Sequence, residues 1–216
     1  MGNNMSKQFK SSLYLVTDRQ LAKKPIQVVV EEAIKGGVDC VQLREKNIGT
    51  REFVEIAHAI KYITDKHNIP LIINDRIDVA LAVQAYGVHL GQDDMPLEVA
   101  RRLVPHYMII GISVSTVNEA IEAEKGGADY IGAGSVFPTS TKDDISGIIG
   151  LEGLQEIKKA VSIPVIAIGG IQIHNAEQVI QHGADGIAVV SAIVSSENPY
   201  EAAQTLKTSI CSAKSC

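Results

Sequence analysis

The sequence predicts an α/β fold, a single-domain (β/α)8 TIM barrel, and three observations predict it. Eight short apolar runs rich in β-branched residues recur along the 216 residues, at 12–17, 39–43, 70–74, 87–91, 108–113, 130–136, 164–169 and 186–190. They are continuous where a half-exposed strand would alternate, which is how parallel strands buried on both faces read. Between them lie segments of helical period, with Val54, Ala57 and Ile60 on one face of the second and Val117, Ala120 and Ile121 on one face of the fifth. The same alternation would suit a doubly wound open sheet. Eight strand–helix units in about 200 residues favour closure into a barrel.

Taken in order, the elements begin after a polar stretch, 1–11, expected to be a disordered tail. The barrel domain is expected over 12–208, with a flexible tail at 209–216. The second run closes on Gln42-Leu43-Arg44-Glu45-Lys46, the third on Asn74-Asp75-Arg76, and the fourth on Gly91-Gln92-Asp93-Asp94. The fifth reaches Ser113, and the sixth leads into Phe137-Pro138-Thr139-Ser140-Thr141-Lys142-Asp143-Asp144. The seventh ends on Ile168-Gly169-Gly170-Ile171 and the eighth on Val190-Ser191-Ala192-Ile193. An internal echo precedes three of the strands: Gly-Gly-Val-Asp at 36–39, Gly-Gly-Ala-Asp at 126–129 and Gly-Ala-Asp at 183–185. Glycine there suits a helix C-terminus, and Asp39, Asp129 and Asp185 read as turn formers on the face of a barrel that serves stability. The polar clusters lie at the other ends of the strands, where barrel enzymes assemble their active sites.

Composition excludes whole classes of function. A net charge of -5 and pI near 5.7 argue against general binding to nucleic acid or to a membrane surface. No apolar run approaches the roughly 20 residues of a membrane span, and the N-terminus lacks the apolar core of a secretion signal. Three cysteines, Cys40, Cys211 and Cys216, make neither a disulfide framework nor a metal-ligand spacing, so a cytoplasmic protein is expected. A homo-oligomer is compatible with the sequence.

The polar clusters suit anions. Thr139, Ser140 and Thr141 offer short hydroxyl donors and Lys142 an ammonium, a composition that can hold phosphate or pyrophosphate. Gln42, Arg44 and Lys46 share one side of their strand by the period of two, so three anion-binding groups point the same way. Asp75 and Asp94 come from neighbouring strand ends and could hold a magnesium ion, which is commonly bound by one or two carboxylates together with substrate phosphate oxygens. For Asp94 the competing role is capping the helix that follows Pro96. Gly170 with Val190 and Ser191 marks the place after strands seven and eight where many barrels bind a phosphomonoester. His89, inside an apolar strand, reads as a hydrogen-bonded core residue.

With those residues in view, the chain resembles the thiamine phosphate synthase family from about Leu13 to Ala192. The resemblance rests on Gln42-Leu43-Arg44-Glu45-Lys46, Ile73-Asn74-Asp75-Arg76, Val88 through Asp94, Gly134 through Lys142 and Ala167 through Ile171. It implies a barrel enzyme that joins hydroxymethylpyrimidine diphosphate to a thiazole phosphate. Gln42, Arg44, Lys46, Asn74, Ser113 and Lys142 would surround the diphosphate substrate, with Lys142, Ser113 and Arg44 acting on the reaction. Asp75 and Asp94 would hold Mg2+. Thr139, Ser140 and Thr141 would face the thiazole phosphate, which also meets Gly170, Val190 and Ser191. In the family the diphosphate leaves first and the thiazole nitrogen captures the resulting pyrimidine carbocation, so electrostatics and positioning carry the step. Gly134-Ser135-Val136 departs from the Gly-Pro-apolar turn common in the family. The segment 145–150, with its glycines after the phosphate loop, reads as part of a lid. Two alternatives stand beside this reading: the related thiazole tautomerase, which needs no diphosphate–magnesium site, and a non-catalytic binding protein for thiamine precursors.

Overall fold

A computed structural model of the chain describes residues 9–139 and 147–214. All eight expected strands are present: β1 (Leu13–Val16), β2 (Cys40–Leu43), β3 (Leu71–Asn74), β4 (Gly87–Leu90), β5 (Ile109–Val114), β6 (Tyr130–Ala133), β7 (Val165–Ile168) and β8 (Gly186–Val189). They pair in parallel in sequence order, and β8 returns to β1 with Leu13 opposite Ile187 and Leu15 opposite Val189, which closes the barrel. The sixth strand is shorter than expected and stops at Ala133, before the turn that carries Ser135.

Each strand is followed by a helix on the outside: α1 (Ile26–Lys35), α2 (Thr50–Lys66), α3 (Ile77–Ala82), α4 (Leu97–Leu103), α5 (Val117–Lys125), α6 (Gly150–Ala160), α7 (Ala176–Gln181) and α8 (Ser191–Val194), with α9 (Pro199–Lys214) completing the ring. Local sequence explains them. In α2 the buried residues Phe53, Ala57, Ile60 and Thr64 recur every three or four positions and form one stripe against the sheet. At the start of α5 the Thr116 side chain accepts from the Glu119 N–H while the Glu119 carboxylate accepts from the Thr116 N–H, a reciprocal capping box.

At both ends the described structure runs past the bounds 12–208 expected for the barrel. Phe9 is buried, its ring 4.4 Å from that of Tyr130 and 6.3 Å from that of Tyr14, so it plugs the end of the barrel where the strands begin. At the other terminus α9 runs to Lys214, because Ala203, Leu206 and Ile210 continue its apolar stripe and are buried. None of the described helices is long and apolar enough to cross a membrane.

The three aspartates before β2, β6 and β8 do more than form turns. Each reaches back to the preceding strand and accepts its first free N–H: Asp39 from Leu13 at 3.1 Å, Asp129 from Ile110 at 2.8 Å, and Asp185 from Val165 at 2.7 Å. Each also meets a cation from a helix, Lys207, Arg101 and Lys158 respectively. Gly37, Gly127 and Gly183 just upstream take the left-handed conformation, with φ of 111°, 86° and 97°. Burial works against the Asp39 carboxylate, but bonds from Lys207, Ser11 and Ser12 more than offset it and hold its pKa below the ordinary value.

Inside the barrel, Tyr14, Cys40, Ile72, Ile109, Tyr130, Ile166 and Ala188 fill a compact core separate from the larger one between sheet and helices. Tyr130 fits only because its neighbour is glycine: a Cβ on Gly111 would lie 2.1 Å from Tyr130 Cζ. The ring is fully buried and has nowhere to move. Gly111→Ala is therefore expected to destabilise the protein by about 2 kcal/mol or more, read as a fall of several degrees in Tm. An unchanged Tm would mean that the interior is looser than this packing.

Candidate active site

At the rim where the strands end, the sheet brings together most of the residues singled out from the sequence. Gln42, the inward residue of β2, is buried, and its amide donates to the Tyr14 hydroxyl at 2.9 Å. One pleat further on, the Arg44 backbone N–H donates to Thr17 Oγ1, and its guanidinium meets Asp18 at 3.3 Å. Lys46 reaches across to Asp75, with Nζ 2.6 Å from Oδ2. β2 ends at Leu43, so of the three only Gln42 lies within the strand, and their side chains sit at different depths, from barrel core to open mouth.

Asp75 ends β3 in a left-handed conformation, φ 60°, which aspartate tolerates better than most residues. Its N–H donates to the His89 carbonyl at 2.8 Å, which ties the turn to β4. Asp94 lies on the loop after β4 and accepts from the Gly91 N–H at 2.7 Å. It does not cap α4, whose first turn has no side-chain cap. Burial and the adjacent Asp75 carboxylate push the Asp94 carboxyl above its ordinary pKa, against the pull of the Gly91 bond and Lys46. Two neighbouring carboxylates are a donor set suited to a hard cation, completed by oxygens of a bound substrate. Among the described residues no group of three or more His, Cys, Asp or Glu side chains is placed to hold a metal. Asn74, at the inner end of β3, is buried beside this pair.

Across the mouth, a cavity of about 520 Å³ opens between the ends of β6, β7 and β8, lined in part by Thr139, Gly170, Asn175 and Ser191. The loops around it are tightly fitted. Gly170 is left-handed, φ 64°, and a Cβ there would lie 2.6 Å from the Pro138 carbonyl oxygen. Asn175 holds the turn by donating to the Gly170 carbonyl and accepting from the Gln172 N–H. Ser191 opens the short α8, directly after Val190, and its hydroxyl accepts from the Gln172 amide at 3.3 Å. Ser140, Thr141 and Lys142 lie outside the described residues. Of the segment 145–150, the described part is pinned where Ile149 N–H donates to the Ser135 carbonyl just before α6.

Several side chains that shape the site escaped the sequence reading. Glu45 pairs with neither Arg44 nor Lys46; Arg19 takes it at 2.8 Å and also reaches Glu52. Tyr14 and Tyr130, which look like ordinary strand residues, carry hydroxyls 2.9 Å apart in the barrel centre. His89 is hydrogen-bonded in the core, as expected, with Nδ1 3.0 Å from the Tyr130 hydroxyl and Nε2 2.9 Å from Ser113 Oγ.

The chain matches the family model described as thiamine monophosphate synthase over residues 13–193. It is 54% identical to the thiamine-phosphate synthase of Clostridium novyi over 90% of this chain and 96% of that protein. With the Clostridium tetani thiamine-phosphate synthase it shares 48% identity over 93% of this chain and 96% of the other. Among solved structures, the thiamine phosphate pyrophosphorylase of Pyrococcus furiosus superposes with a TM-score of 0.87 at 48% identity, covering 94% of this chain and 96% of that one.

The Arg19–Glu45 contact has a measurable consequence. Burial raises the Glu45 carboxyl and Arg19 opposes it, while one carboxylate oxygen, Oε1, is buried with no hydrogen-bond partner among the described residues. In Arg19→Met the buried charge loses its counter-ion. At pH 8 the variant is expected to be less stable by about 2 kcal/mol, less than for a fully buried pair because Arg19 is open to solvent. The deficit should shrink as the pH falls toward 5 and Glu45 takes up a proton, so thermal unfolding across that range reads it. A deficit independent of pH would place the effect in lost packing.

Proposed function

Since the chain belongs to the thiamine monophosphate synthase family and is a transferase, we propose that it joins hydroxymethylpyrimidine diphosphate to hydroxyethylthiazole phosphate, releasing pyrophosphate and forming thiamine phosphate. The observation that carries the proposal is the close pair Asp75 and Asp94 after β3 and β4, facing across one mouth the cavity of about 520 Å³ between β6 and β8. An enzyme acting on a monophosphate alone has no use for the first half of that arrangement.

In this reading the diphosphate lies between β2, β3 and β5. Arg44 and Lys46 bind its oxygens, Gln42 and Asn74 hold the pyrimidine, and Ser113 donates to the leaving group. Lys142, on the loop after β6, would add a third cation. Asp75 and Asp94 would hold Mg2+, which when bound neutralises diphosphate charge and improves it as a leaving group. The bond between the pyrimidine methylene carbon and the diphosphate oxygen breaks first, and both electrons leave with the oxygen. The thiazole nitrogen then forms the new bond to that carbon with its lone pair, so no proton transfer to a protein base is required. The thiazole phosphate is held by Thr139, Ser140 and Thr141, by the backbone about Gly170 and Val190, and by Ser191. What the chain contributes is anion binding and alignment of the two substrates. Cys40 stays a buried free thiol in such a protein, in keeping with a reducing cytoplasm.

The test is pyrophosphate release from the purified protein with both substrates and magnesium, each omitted in turn. Thiamine phosphate formed in step with pyrophosphate only in the complete mixture is the expected result; isomerisation of a thiazole without any need for the pyrimidine substrate would move the function to the tautomerase. Asp75→Asn is expected to weaken binding of the pyrimidine diphosphate with magnesium by tenfold or more, on the order of a lost ion contact, and that of thiazole phosphate by less than about twofold. Ser191→Ala should reverse the preference, raising the thiazole phosphate Kd by about fivefold. Calorimetric titration with each substrate separates the two, and equal losses in either variant would overturn that assignment.

A further inference from the structure

Five side chains from five strands form an unbroken hydrogen-bonded line across the barrel: Gln42 on β2, Tyr14 on β1, Tyr130 on β6, His89 on β4 and Ser113 on β5. Gln42 and Ser113 both belong to the proposed pyrimidine diphosphate site. The three residues between them are buried and do not reach the mouth.

The direction of the protons along this line follows from the donor inventory. The Gln42 amide nitrogen has only protons to give, so the Tyr14 oxygen accepts there. Tyr14 has one proton of its own, and its neighbours are the Tyr130 hydroxyl at 2.9 Å and the Cys40 thiol. Sulfur is a weak acceptor and the thiol carries a proton to give, so the Tyr14 proton goes to the Tyr130 oxygen. Tyr130 then donates to His89 Nδ1. An imidazole with a bare Nδ1 carries its proton on Nε2 and donates it to Ser113 Oγ. The Ser113 hydroxyl, having accepted from His89, keeps its own proton for an acceptor outside the line. Among the described residues none takes it, and Ser113 is the half-buried member that faces the mouth. Its backbone is held as well, because the Gln92 amide donates to the Ser113 carbonyl at 2.7 Å. Burial pushes both phenols well above the ordinary value, so both remain protonated donors throughout the working range.

We propose that Tyr14, Tyr130 and His89 are positioning residues that lock the Ser113 hydroxyl as a hydrogen-bond donor toward the departing diphosphate. Without the lock, a serine hydroxyl beside a neutral imidazole can turn and donate to the ring, presenting a lone pair to an oxyanion where a proton is needed. The relay removes that choice before substrate arrives. It costs nothing at the moment of bond cleavage, when negative charge gathers on the leaving oxygen. The proposal rests on the synthase reading for the identity of the acceptor, and on the hydrogen-bond geometry alone for the proton order.

The experiment therefore has two arms. In the first, protein labelled with 15N-histidine is examined by NMR, with the His89 imidazole among the six histidines identified through His89→Asn. The wild type is expected to show His89 as the single Nε2–H tautomer, and Tyr130→Phe, which removes only one hydroxyl, a mixture of both. Tyr14→Phe should leave the tautomer in place, because Tyr130 still has its proton to give. A wild-type Nδ1–H tautomer, or no change in Tyr130→Phe, overturns the proton order. The second arm is steady-state turnover: Tyr130→Phe is expected to lose on the order of tenfold in kcat with the KM for thiazole phosphate within about twofold. A mixed tautomer with unchanged kcat overturns the positioning role. Should the wild type form no thiamine phosphate, the synthase reading falls and the proton order is decided by the first arm. Should Tyr130→Phe fail to fold, the wild-type tautomer decides it.

Discussion

Closure of the sheet is the constraint on which the rest of the structure depends. The ladder between β1 and β8 turns eight separate strands into a ring, so every strand end arrives at one circular rim. Residues from strands two, three, four and five then face residues from strands six, seven and eight across one mouth. The ring also fixes what lies inside it. With no edge left to flex, the interior is packed by a small set of side chains whose sizes must agree, and the fit of the Tyr130 ring over Gly111 shows how little slack remains.

The two ends of the barrel solve opposite problems with the same residue type. Where the strands begin, aspartates are saturated: Asp39 accepts from Ser11, Ser12, Leu13 and Lys207. Such a group is spent on structure and has no capacity left for a ligand. Where the strands end, Asp75 and Asp94 lie beside each other, and among the described residues Lys46 and the Gly91 N–H are their partners. Number and sign of partners, more than the residue itself, separate the aspartates at the two ends.

The fold was legible in the sequence because burial on both faces gives parallel strands a signature that survives without any alignment: continuous β-branched runs at even spacing. The rim residues were legible because polar clusters stood out against those runs. What stayed hidden was long-range. Tyr14 and Tyr130 differ from any other strand aromatic only in that the register brings their hydroxyls together from 116 positions apart. Arg19 was passed over because nothing local links it to Glu45, and Lys207 because its partner Asp39 lies 168 residues earlier. Asp94 sat where a helix cap belongs, and only the direction of its carboxylate, toward the Gly91 N–H, separates the two roles. The burial of Phe9 and Ile210 was hidden for a related reason: both are isolated apolar residues in polar surroundings, and it depends on surfaces built elsewhere in the chain.

Lys207 on α9 reaches back to Asp39 and Ser12, so the last helix fastens the first strand. A ribosome makes these partners at opposite ends of its work. Until β8 has emerged, the outer edge of β1 has no partner in the sheet and presents a row of open backbone groups to whatever is nearby. The growing sheet thus stays open until β8 and then α9 have followed. An early stop in translation, even one that spares every residue at the rim, would leave that seam unfastened and its product a substrate for proteolysis or a seed for aggregation.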